Sequence, residues 1–147
     1  MTAEPIRTRR SVREVEVKMI ERLNSPNLSE PPGYSHVVVS SGSRLVTPAG
    51  AVPLDAQGNL VGPGDHIVQA RQAIGNLETA PKAAGATARD VVKTTVYVVP
   101  ANRSDLSAVW EVVQESGMAA AASTLLGVSV LGYEGQLVEI EAIAVLE

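Results

Sequence analysis

The order of elements along the chain predicts an α+β domain, a mixed six-stranded sheet with two helices packed on one face. Three observations carry that prediction. β-Branched runs outnumber helical patterns, the longest being Val91 to Val99. Only two stretches repeat apolar residues at helical spacing, and each lies between strands. At 147 residues, 45% hydrophobic and 19% charged, the chain has the size and composition of one globular domain. Nothing remains to form a third layer, so the far face of the sheet needs another cover. A second copy of the same chain is the simplest one.

The elements follow in order. Met1 to about Glu16 mixes charges of both signs without a period, and residues 1–16 read as a flexible charged arm ahead of a single domain over residues 17–147. A first short strand is expected near Val17–Leu23. Asn24 to Gly33 holds three prolines with Asn and Ser, which is loop chemistry. His36–Ser40 is a strand that Ser41-Gly42-Ser43 turns back into Arg44–Thr47, a predicted hairpin. Ile67, Ala70, Ile74, Leu77 and Ala84 fall at spacings of 3, 4, 3 and 7 and so share one helix face. Asp65 is the expected N-cap and Gly85 the stop. Pro81 lacks an amide donor and clashes with the preceding turn, which predicts a broken last turn there. Val91–Val99 is a central strand. Ser104 or Asp105 should cap a second helix running to about Ser116, with Leu106, Val109, Trp110 and Val113 on its inner face. Ser123–Leu131 and Gln136–Leu146 are the last two strands, joined by a turn at Gly132–Gly135.

Composition removes several classes of function. Zero Cys excludes disulfides, thiol nucleophiles and thiolate metal sites. The two histidines, His36 and His66, stand 30 positions apart in different elements, so neither a metal cluster nor a nucleophilic triad is expected, nor any cofactor. A net charge of −4 argues against a nucleic-acid surface. The longest apolar-leaning run, Met118–Leu131, is 14 residues and interrupted, too short to span a bilayer. These features predict a soluble, cytoplasmic protein without nucleic-acid or membrane partners.

What is left for chemistry is carboxylates, hydroxyls and backbone dipoles. In Val138-Glu139-Ile140-Glu141-Ala142 the two carboxylates are two residues apart and share one strand face. They either meet solvent or line a polar cleft in which one could hold a water.

Four segments resemble, in order, the RidA/YjgF (L-PSP) family of reactive-intermediate deaminases: Pro32-Gly33-Tyr34-Ser35, Gly50 to Asp55, Asp90 to Tyr97 and Leu137 to Ala144. Gln69 to Leu77 is similar to the family's first long helix. The resemblance implies a chorismate-mutase-like fold, a homotrimeric barrel and small-molecule clefts between subunits. Active members hydrolyse enamines and imines of 2-amino acids to 2-keto acids and ammonia. By the same resemblance Glu139 is the water-placing carboxylate and Tyr34 closes the cleft. Glu141, on the same strand face as Glu139, reads as structural, paired with Lys93 or Arg71. The family's arginine, which forks the substrate carboxylate, is matched by Ala122. Ser123 and Thr124 follow it as polar candidates. Ala51 replaces a polar Gln, Trp110 an Asn, and His36 stands where Gln is common. The implied cleft is therefore more apolar and less cationic than a deaminase cleft. Two classes stay open: a hydrolase for an enamine, imine or related C–N compound without ordinary 2-imino acid deaminase activity, and a non-catalytic ligand-binding or protein-interaction trimer. A ribonuclease is disfavoured by the acidic charge.

Overall fold

The structure, a computed structural model, describes residues 19–147. The arm expected over residues 1–16, and the start of the first strand at Val17, lie outside the described residues. Six strands and two α-helices follow: β1 (Ile20–Leu23), β2 (Val37–Ser40), β3 (Arg44–Val46), α1 (His66–Thr79), β4 (Val91–Val98), α2 (Arg103–Gln114), β5 (Ala122–Gly127) and β6 (Val138–Leu146). The fold is α+β, with the strands hydrogen-bonded in two groups. β1 and β2 form an antiparallel ribbon, and β3-β6-β4-β5 form a mixed sheet in which only β4 and β5 are parallel. That parallel pair is joined by α2, since parallel neighbours need a long crossover.

The predicted hairpin does not form. β2 pairs with β1, whereas β3 crosses to the edge of β6, with Leu45 opposite Val145. Ser41-Gly42-Ser43 lacks the residues of a tight two-residue turn. It instead carries the chain close over the end of β6, where a Cβ on Gly42 would collide with the Leu146 carbonyl oxygen.

Helix α1 starts where the sequence predicts. Asp65 Oδ1 accepts from the amides of Ile67 and Val68, at 3.0 Å each. Pro81 ends the α-helical ladder, and Ala80–Ala84 continue as a 3₁₀ turn stopped by Gly85 at φ 81°. Its inner face is rotated from the expected one: Ile67 is 40% exposed, while Gln69 is wholly buried. Gln69 Nε2 donates to the carbonyls of Gly62 and Gly135, and its Oε1 accepts from Leu137 N at 2.7 Å. One buried amide thus ties two loops to the start of β6 with its hydrogen bonds satisfied. Helix α2 begins two to three residues earlier than expected. Asn102 is the N-cap, and Asp105, at the third helical position, reaches back to the amides of Asn102 and Ala101. The S/T/D/N-x-x-acid pattern of a capping box sits at 102–105 rather than after it.

Both helices cover the sheet face formed by Val96, Val98, Val138 and Ile140, and with Leu77, Val109 and Val113 they make an aliphatic core. The other face carries Lys93, Thr95, Tyr97, Glu139, Glu141 and Ile143, and no described element covers it.

Two carboxylates are expected to lend the fold stability that acid removes. Backbone amides hold both below their ordinary 3.8, chiefly that of Asn59 for Asp55 and that of Asn102 for Asp105. Because the folded state binds these protons less readily, their contribution is present above the ordinary value and is lost as pH falls through the lower folded one. Urea midpoints should therefore stay level from about pH 6 to about pH 4 and fall below that, and Asp105→Asn should flatten part of the decline. A decline already complete above about pH 5 would assign it to other groups.

Candidate functional site

The segment Pro31 to His36 is clamped from two sides. The carbonyl of Pro32 accepts from Trp110 Nε1 and from Gln114 Nε2, both at 2.9 Å. Ser35 Oγ donates to the carbonyl of Ala120 at 2.6 Å, and Ser35 N to that of Ala121. Gly33 adopts φ 86°, and a Cβ there would come within 2.6 Å of Gln114 Nε2. The left-handed conformation favours glycine there. The clamp sets the Tyr34 ring edge-on to Trp110, with centroids 6.1 Å apart.

Under these two rings lies a cavity of about 230 Å³ lined by Pro32, Tyr34, Trp110, Ser123 and Leu125. It holds no charged side chain. Ser123 sits on the helix-facing side of β5, paired with Thr94, and the two hydroxyls are hydrogen-bonded to each other. Strand alternation turns the flanking residues away. Ala122 pairs with Lys93 and Thr124 with Thr95, both on the open face, where Thr124 Oγ1 accepts from Lys93 Nζ at 2.7 Å.

His36 lies edge-on to Tyr34 at 6.1 Å. Its Nδ1 accepts from Ser25 N at 3.0 Å, and its own amide donates to Asn24 Oδ1. The ring thus folds the preceding loop. Ala51 is buried, and its amide and carbonyl pair with those of Ile140, which adds a bridge beside β6.

Glu139 stands on the open face, two strands in from β5, and does not reach the Tyr34 cavity of its own chain. Gln136 Nε2 donates to its Oε2 at 3.3 Å, and Gly50 leaves the space its carboxylate occupies, since a Cβ there would collide with Oε1. Glu141 accepts from Tyr97 Oη at 2.7 Å, which raises the Tyr97 pKa. Burial lowers that of Lys93, while Glu141 opposes the shift. Gln136, Gln114 and Leu125 join the site without having been expected there. Gln114 had a legible signal, since it lies one turn beyond Trp110 on the same helix face.

A two-layer α+β domain whose small cavity sits at a sheet edge, under a loop clamped to the second helix, defines the class. The chain belongs to the Rid (RidA/YjgF) family: the family model Endoribonuclease L-PSP matches residues 27–146. A RutC family protein of Pyrococcus horikoshii is 34% identical over 88% of this chain and 100% of its own length. A crystal structure of a Rid-family protein of unknown function from Yersinia pestis superposes with a TM-score of 0.80, at 34% identity over 88% of this chain and 100% of that one. TdcF of Escherichia coli, solved with bound serine, gives a TM-score of 0.62 at 27% identity, over 88% and 99% of the two chains.

Proposed function

We propose that this chain assembles as a homotrimer whose inter-subunit clefts bind a small, largely apolar molecule, and that ordinary deamination of 2-imino acids is not its activity. The cavity under Tyr34 and Trp110 carries the reading. Its walls are aromatic and aliphatic, Ser123 and Tyr34 are the lining residues that bear a hydroxyl, and none carries a cation. A substrate carboxylate brought there would lose its hydration and find no guanidinium to replace it. Ala122, at the position the family resemblance gives to the arginine, supplies no donor and faces away.

The open sheet face supports the trimer. Leu45, Leu126 and Ile143 are 67%, 42% and 37% exposed on it, around the polar group Lys93, Thr124, Tyr97 and Glu141. Packing of copies through this face would enclose Glu139 and Glu141 between subunits. That serine is bound to a relative supports a cleft for a small molecule. Glu139, seated between Gly50 and Gln136, favours hydrolysis of an uncharged enamine or related C–N compound, with this carboxylate orienting the water. A purely binding trimer is the alternative.

The test generates an imine in situ from leucine with an amino-acid oxidase and traps it with semicarbazide. Adding the chain should leave semicarbazone accumulation unchanged, while sedimentation reports three copies of the 15.4 kDa chain. Suppressed accumulation that is abolished by Glu139→Ala would overturn the reading, as would a monomer.

A further inference from the structure

The Tyr34 cavity borders a second, larger depression and shares two of its walls. Trp110 and Leu125 also line a groove of about 770 Å³ that runs along α2 to Arg103 and Pro100. Resting on the proposed small-molecule site, we infer that cavity and groove form one elongated binding site for an amphipathic carboxylate. The apolar body lies against Trp110, Leu125 and Leu106, and the carboxylate is forked by Arg103.

Helix spacing sets the dimensions. Arg103, Ser107, Trp110 and Gln114 follow one another at one or two turns along a single helix face. Seven residues separate Arg103 from Trp110, a rise of about 10 Å. The groove is also electrically polar. Arg103 stands at one end, and Glu111, beside Trp110, would repel an anion at the other. Arg103 is exposed, and no described carboxylate lies within ion-pair distance of it. The carboxylate of Asp105, the other charge in the first turn of α2, is occupied by the amides of Ala101 and Asn102. The guanidinium is therefore available for a two-pronged hydrogen bond to a carboxylate arriving along the groove. A ligand as short as an amino acid would not span the two ends. This separates the site from one that grips the carboxylate next to the reacting carbon.

Trp110 is the chain's one tryptophan, so its fluorescence reports on the junction of cavity and groove. The experiment titrates the intact protein at low salt with 6-phenylhexanoate and with 6-phenylhexan-1-ol. The acid should bind at least about tenfold more tightly than the alcohol. Arg103→Gln should reduce the acid to the level of the alcohol and leave the alcohol unchanged. Equal binding of acid and alcohol by the unaltered chain would overturn the role of Arg103 while leaving the apolar cavity standing. If neither compound perturbs Trp110, the inference and the site on which it rests both fall.

Discussion

Replacing Ser123 with arginine is expected to raise the affinity for 2-oxobutanoate at least about tenfold, while Ala122→Arg leaves it unchanged. The two positions are adjacent in sequence and opposite in space. Ser123 opens onto the cavity beneath Trp110, and Ala122 faces Lys93 on the far side of the sheet. A guanidinium entering at Ser123 would lie among the Tyr34 and Trp110 rings, where water is partly excluded and a forked contact with a carboxylate is strong. The substitution removes the hydroxyl partner of buried Thr94, a cost of about 1–3 kcal/mol, so a thermal melt must accompany the titration. Calorimetric titration of both variants checks the result. A gain from Ala122→Arg with none from Ser123→Arg would move the carboxylate subsite to the open face, and the cavity would no longer be the ligand site.

Truncating Ile140 to alanine should cost about 2–5 kcal/mol of stability. Ile140 is 1% exposed, pairs with Val96 across the sheet and bridges Ala51 through its backbone. Removing its side chain opens a void between the sheet and the helices and loosens the strand that carries Glu139. Ile143, on the same strand but the opposite face, is 37% exposed. In an isolated chain Ile143→Ala should stay within about 0.5 kcal/mol. Urea unfolding of both variants at two protein concentrations separates the faces. A concentration-dependent loss in Ile143→Ala would report burial of the open face between copies, whereas Ile140→Ala should lose stability at either concentration. An Ile140→Ala chain as stable as its parent would contradict the packing described for the core.

Much of this architecture was legible because local chemistry specified it. Asp65, Pro81 and Gly85 mark the limits of the first helix through an acceptor, a missing donor and a left-handed backbone, and each acts within a few residues of itself. The alternation around Glu139 and Glu141 placed both carboxylates on one face for the same reason. The family segments also follow from sequence, and Pro32 to Ser35 does form the loop over the cavity.

Other features depend on partners distant in the chain. The Ser41–Ser43 link does not name a partner for the strand that follows it; β3 pairs with β6, about a hundred residues on, which no local signal encodes. Gln69 is polar and lies off the apolar face that periodicity marks on its helix, yet it is fully buried. It is buried because Gly62, Gly135 and Leu137 surround it with matching donors and acceptors. The candidate site divides in the same way. Sequence named Tyr34, Trp110, Ser123 and Glu139, but which of them share a cavity was decided by the sheet, whose pleat sends Ser123 inward and Ala122 outward. Sequence by itself determined the elements, the aliphatic core and the family, since these rest on short-range periodicity, caps and turns. Tertiary structure alone decided strand partners, the Pro32 clamp and the separation of Glu139 from Tyr34 within one chain, because a strand's face and its neighbours are fixed only when distant segments meet in register.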